Sequence, residues 1–271
     1  MDTKARLEAW KRYSEHAGLG VRSDTKVRRE AVIELAWRHN YDANHSHQVE
    51  CLAGTLFIEL SEYHGLDRGD RHLLEFAAIL HDIGYAVSAK GHHRHAFTMI
   101  LSAPLLPFSR DDVNIIANVA RYHRKRVPTL DHVSYAALNE TDRRRVAAMA
   151  AMLRLADALD RSRKSLVQDL TCDVTEDSVI FNVISEEDLS NESAAVSRRG
   201  DLFLALFHKT PRVHVRVPRL IAPIIVSNRS SADLIVVRQK TLTPQEDLRS
   251  ERFRWISSYL NVMLRALKPD P

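Results

Sequence analysis

Between Arg28 and about Arg163, apolar residues recur at three- and four-residue spacing in five stretches separated by polar breaks: "REAVIELAWRHN", "HSHQVECLAGTLFIELSEYHG", "RHLLEFAAILHDIG", "DDVNIIANVARYHRK" and "RRVAAMAAMLRLADALDRS". This spacing gathers the apolar side chains on one face of a helix, so the region is predicted to form a helical bundle. Ser109, with Asp112 three residues on, has the form of a capping box, and Gly65 and Gly84 read as helix stops. After Ser165 the period falls to two. "VQDLTCDV" and "SVIFNVI" alternate around "TEDS" and read as a hairpin, with "RVHVRV" and "DLIVVRQ" as further strands. Thr243, Pro244 and Glu246 open a last helix, whose stripe of Phe253, Ile256, Leu260, Met263 and Leu264 needs a cover from this chain or from a second copy in a homodimer. The expected fold class is mainly α, with an N-terminal extension over 1–27 and a helical domain over 28–165. A smaller α+β region follows over 166–271, with antiparallel strands and a terminal helix.

Composition narrows the class. The chain has 271 residues, of which 45% are hydrophobic and 27% charged, enough to bury a sizeable core without a metal or disulfide staple. Two cysteines far apart, Cys51 and Cys172, fit a reducing compartment. The first residues form no apolar leader, and no run approaches the roughly 18 apolar residues of a membrane span, so a cytoplasmic protein without a membrane partner is expected. The formal charge of +4 permits an anionic ligand, and the basic residues cluster in "RYHRKR", "DRRR" and "DRSRK". Few aromatics interleave with those runs, which speaks against a stacking surface for nucleic acid.

Extending each apolar stripe by one turn reaches a ligand-type side chain. His45 lies four residues before Val49 on the buried face of its helix, whereas His47 points away. His81 and Asp82 follow Ala77 and Ala78 by four; His123 continues the stripe of Ile116, Val119 and Ala120; Asp157 and then Asp160 continue that of Val146, Ala150 and Leu153. Any one of these histidines would pass for a hydrogen-bonded core residue. A carboxylate on an apolar face is different, because an unpaired charge there costs several kcal/mol, so Asp157 needs a cation: Arg154, Arg161 or a metal. As a set, His45, His81, Asp82 and Asp157 make a mixed nitrogen and oxygen shell suited to one or two divalent ions from among Mn, Fe, Co, Ni, Zn and Mg.

The order His45, His81-Asp82, Asp157 resembles that of the HD superfamily of metal-dependent phosphohydrolases. "REAVIELAWRHNYDANHSHQV", "LHDIGYAVSAKGHHRHA", "ANVARYHRK" and "MLRLADALDRS" are more closely similar to the helical C-terminal region of the exopolyphosphatase and guanosine pentaphosphate phosphatase (Ppx/GppA) family, over roughly Arg28 to Val167 and more loosely through "DLFLALF", Asp201 to Phe207. The resemblance implies an HD-type helical bundle and a metal shell of His45, His81, Asp82 and Asp157. His95 and His123 stand where related proteins place ligands for a second metal. Full-length family members perform their phosphatase chemistry on an N-terminal pair of actin-like domains, for which there is no room before residue 28. Activity on polyphosphate is therefore not implied.

The function expected from this resemblance is a metal-dependent phosphohydrolase acting on a phosphate ester or anhydride, a nucleotide or related small metabolite. Asp82, His92 and His93 are the candidate catalytic residues, with a general acid sought in His92 or His93. Lys90, Arg94, Arg121, Arg124 and Lys125 are the candidate phosphate-binding residues. The rival expectation is a regulatory module that keeps the fold to bind a nucleotide or a protein partner.

Overall fold

The computed structural model describes residues 24–217, 224–226 and 235–237. Helices α1 (Asp24–Arg38), α2 (Ala43–Glu59), the single turn α3 (Ser61–His64) and α4 (Arg68–Leu80) come first. A 3-10 turn (Ile83–Ala86) then leads to α5 (His92–Ser102), α6 (Arg110–Arg121), the short α7 (Val133–Ala136) and α8 (Glu140–Leu159). Strands β1 (Asp169–Val174) and β2 (Ser178–Ile184) follow, then α9 (Ser190–Arg199), α10 (Asp201–Phe207), β3 (Thr210–Arg216), β4 (Ile224–Val226) and β5 (Ile235–Val237). The protein is thus mainly helical with a small sheet near its C-terminal side, as the periodicity indicates.

Local chemistry sets the helix starts. Asp42, Asp67, Ser109 and Asn139 each accept a backbone N–H of the first turn of α2, α4, α6 and α8, and Asp67 and Asp70 close a full capping box. Gly65 ends α3 with φ +64, the left-handed stop expected of it. Gly84 does something else. It lies inside the 3-10 turn after α4 has already ended, and a Cβ there would stand 2.0 Å from the carbonyl oxygen of His92. Its role is close approach of the turn to α5, where no side chain fits.

Helix α8 is the axis of the bundle. Every residue from Val146 to Leu159 is buried, and the alanine-rich sequence lets α2, α4 and α6 approach it while α9 and α10 pack on it as well. Full burial of a leucine such as Leu153 or Leu155 contributes roughly 1.5–3 kcal/mol. Strand β1 packs on α2, and one continuous apolar core runs from Val32 to Phe203, so the residues just after 165 share it.

β1 and β2 form the expected antiparallel hairpin, but β3 lies parallel to β2, with Ser178 opposite Thr210. The α9–α10 crossover makes this geometry: a parallel return needs a long connection, and these helices supply it. β4 and β5 pair antiparallel, the latter within the expected "DLIVVRQ" strand. The helix expected from Thr243 lies outside the described residues, as do residues 1–23 of the N-terminal extension. Among the described residues, no helix is long and apolar enough to cross a membrane.

Candidate metal centre

Helix ends converge on one place. His45 sits in the first turn of α2 and His92 at the first position of α5, while His81 and Asp82 follow α4, His123 follows α6, and Asp157 and Asp160 lie at the end of α8. Three helix C-termini bring partial negative charge to the cluster and two N-termini bring partial positive charge, so the dipoles leave a modest excess that favours a cation. The same ends supply acceptors. The last-turn carbonyls have no helical N–H to receive, and His81 Nδ1 reaches Ala78 O at 2.6 Å while His123 Nδ1 reaches Ala120 O at 2.7 Å. His92 Nδ1 reaches Ala89 O at 3.1 Å, and His45 Nδ1 reaches Asp160 Oδ2 at 2.8 Å.

Each of the four imidazoles thus spends its Nδ1 on an outer acceptor, which fixes the ring and turns Nε2 inward. His45 Nε2 lies 3.4 Å from Asp157 Oδ1 and 3.8 Å from Asp82 Oδ2, and His81 Nε2 lies 3.5 Å from the latter. Asp82 Oδ1 is 3.3 Å from His92 Nε2 and 3.6 Å from His123 Nε2, and those two nitrogens are themselves 3.3 Å apart. Around an ion with bonds of ~2.1 Å, neighbouring ligand atoms lie roughly 3–3.4 Å apart, so the spacing is close to that of a formed shell. Two overlapping ligand groups emerge: His45, His81 and Asp157, and His81, Asp82 and His123. The Nε2 atoms of His45 and His81 are buried without a hydrogen-bond partner. Orphaned buried nitrogens, facing carboxylate oxygens, are the donor set a divalent cation would satisfy.

Positive charge reaches the cluster from several sides. Burial works against protonation of His45, but the flanking Asp157 and Asp160 carboxylates raise its pKa to about 9. Burial pushes Asp82 up, yet His81 and His123 beside it, with Arg163, hold it down at about 2. Asp157 is likewise opposed by burial and held well below the usual carboxylate range by His45 and Arg199. Burial keeps His92 below its ordinary value, and burial with the neighbouring His81 keeps His123 well below it, leaving both neutral near pH 7, the form that binds metal. Arg163 forms a short ion pair with Asp82 and a second with Asp42 at 3.2 Å, and its guanidinium lies 5.3 Å from the Tyr85 ring centre. Tyr85 is stacked on His92, with ring centres 4.1 Å apart. Arg199 pairs with Asp157.

Of the residues singled out in the sequence, His45, His81, Asp82, Asp157 and His123 meet here. Neither His92 nor His95 belongs to the two groups, but from α5 it is His92 that reaches Asp82 and His123. His93 adjoins His92 with ring centres 5.7 Å apart, and burial, then His92 and Lys125, lower it to about 4. Arg94 and Arg124 act on it in the same direction. Arg121 instead donates to Ser134 and lies over Phe97 and Tyr122, and Lys90 is exposed.

Of the cations offered for Asp157, Arg154 goes elsewhere, to Asp201 at 2.5 Å and the carbonyls of Tyr122 and Arg199, and the guanidinium that pairs with Asp157 is that of Arg199 rather than Arg154 or Arg161. His47, on the opposite side of α2, is buried between Tyr41 and Glu50. Sequence reasoning passed over Arg163, Arg199, Asp42 and Tyr85. The only signals were the "DRSRK" run around Arg163 and the capping position of Asp42.

Residues 27–198 match the model of the family described as Ppx/GppA phosphatase, domain III. That stretch holds every residue of the cluster from His45 to Asp160, with Arg199 immediately beyond it, and it exceeds half of the 271-residue chain. The chain therefore belongs to the Ppx/GppA phosphatase family.

Proposed function

We propose that the protein is a metal-dependent phosphohydrolase of HD type, acting on a phosphate ester or anhydride of a nucleotide or similar small metabolite. The observation that carries this reading is the pair of orphaned nitrogens, His45 Nε2 and His81 Nε2, aimed at Asp157 and Asp82 while their Nδ1 atoms are held from behind. His45, His81, Asp82 and Asp157 would hold one divalent ion, and His92 and His123 extend the shell toward a second. A cation in such a shell supplies stabilisation of charge on a phosphoryl oxygen and activation of water near neutral pH.

The protein's own residues do the rest. Asp82 faces His45 and His81 with one oxygen and His92 and His123 with the other, and so would bridge the two halves of the cluster. Asp160 and the carbonyls of Ala78, Ala89 and Ala120 hold the four rings with Nε2 turned inward, and at His45 an ion would have to displace the proton that Asp157 and Asp160 favour. His93, neutral near pH 7, serves as a hydrogen-bonding partner for substrate rather than as a ready proton donor. Arg94, Arg124 and Lys125 around it offer charge for the outer phosphates of a polyanionic substrate.

The ion pairs of Arg163 with Asp82 and Arg199 with Asp157 favour a second reading, a regulatory module in which guanidinium replaces metal. One experiment separates the two. Metal analysis of the purified protein is followed by a screen of nucleotides and phosphate esters with wild type, His81→Ala and Asp82→Ala. Metal-dependent turnover in wild type, lost in both variants, is expected. Bound metal without hydrolysis of any phosphoester, or no metal uptake at all, would favour the module.

A further inference from the structure

We propose that Arg163 and Arg199 form an exchangeable clamp for the reacting phosphoryl group, held in reserve on the two carboxylates that a metal would claim. This inference rests on the metal-centre reading. Each guanidinium is bound to one of the two inward carboxylates, Arg163 to Asp82 and Arg199 to Asp157, and both carboxylates face the imidazole nitrogens as well. A carboxylate oxygen that takes a divalent cation has less negative charge to share with an arginine. Arg199 is then short of its counter-ion in a place where only 14% of its side chain is exposed. Arg163 keeps the half-exposed Asp42 at 3.2 Å and the Tyr85 ring, which together hold it at the mouth of the cluster with its Asp82-binding nitrogen free.

A partly buried guanidinium without a counter-ion draws in an anion. The planar donor array of arginine matches two oxygens of a phosphoryl group, whereas a monovalent halide would use only part of it. Metal and phosphate should then bind cooperatively. The metal releases the guanidiniums, and phosphate occupying them stops their competing for Asp82 and Asp157. Linkage requires each ligand to tighten the other by the same factor.

The test titrates inorganic phosphate into the protein loaded with Mn2+, Fe2+, Co2+, Ni2+, Zn2+ or Mg2+, whichever it holds, and titrates that metal with and without phosphate. Wild type is compared with Arg163→Gln, Arg199→Gln and the double variant. Each single substitution is expected to weaken phosphate binding on the order of tenfold. Metal binding without phosphate should become tighter, an effect that a purely structural arginine would not produce. The mutual tightening of metal and phosphate should vanish in the double variant. Arg199→Lys, which keeps the charge but not the fork, replaces the glutamine variant if the latter does not fold, and should also bind phosphate more weakly. Wild type that takes up none of these metals overturns the metal-centre reading and this inference with it. Wild type that takes up metal but whose phosphate affinity is indifferent to both substitutions overturns the clamp alone.

Discussion

His45 Nδ1 lies 2.8 Å from Asp160 Oδ2, and the other oxygen of that carboxylate accepts the backbone N–H of Ser165 at 2.8 Å. Asp160 therefore fixes a ring on α2 from the end of α8, two elements far apart in sequence. Asp160→Ala should reduce divalent-metal affinity by roughly 10–100-fold while the helical fold persists, because the ring would keep its place in the chain but lose its orientation. Competition titration against a metal indicator, with circular dichroism as the fold control, checks this. Affinity equal to wild type would mean that the ring is held by packing alone.

Metal loading should stabilise the native state. A ligand that binds the folded protein and not the unfolded chain adds about 2.7 kcal/mol at a concentration one hundred times its dissociation constant. Thermal unfolding with and without added divalent metal should show a clear upward shift of the midpoint. The shift should be absent in His81→Ala, which removes the imidazole shared by both ligand groups.

Gly84→Ala should damage the site by displacing backbone. The added methyl would stand 2.0 Å from His92 O and 2.6 Å from Ala96 N, neither of which can rotate aside. Overpacking of this kind costs typically 1–3 kcal/mol, and rigid backbone puts this position at the upper end or beyond. Urea unfolding should register the loss, and metal titration should show weakened uptake, because the displaced backbone is that of His92, which faces Asp82 and His123.

Acid should unfold the protein partly through Glu50. Burial pushes this carboxyl up, but Arg29 and His47 hold its pKa near 2, below the ordinary 4.5. A depressed folded-state pKa gives stability that is fully present above about pH 4.5 and is lost as the pH falls toward 2. The shift corresponds to about 3 kcal/mol. In metal-free protein, Glu50→Gln should flatten the fall of unfolding free energy between these limits. An unchanged slope would place the acid sensitivity in other carboxylates.

Much of the cluster was legible because its side chains continue apolar stripes. His45 precedes Val49, Asp157 follows Leu153, and in each case helical geometry alone dictates the direction. The choice between His92 and His95 was not legible. It depends on where α5 begins, and that is set by the left-handed Gly91 and by the contact that Gly84 permits. Periodicity also read Gly84 as a helix stop, since a glycine needed for close approach carries the same letter. The arginines were hidden for a different reason: Arg163 and Asp82 are 81 positions apart, Arg199 and Asp157 are 42 apart, Arg163 lies in a turn beyond α8, and Arg199 continues only the short buried face of Ala195 and Val196 in a helix the periodicity did not announce. The direction of β3 depended on a helical crossover whose apolar pattern is short.

The Asp157–Arg199 pair also bears on where the molecule may be cut. A fragment trimmed to residue 198, the limit of family similarity, would retain the carboxylate and discard its guanidinium, and would bare the surface of α8 that Leu202 and Phe203 shelter. An expression boundary chosen by alignment would thus yield a sticky, electrostatically unbalanced piece. One placed after β3 keeps the charge pair and its apolar roof together.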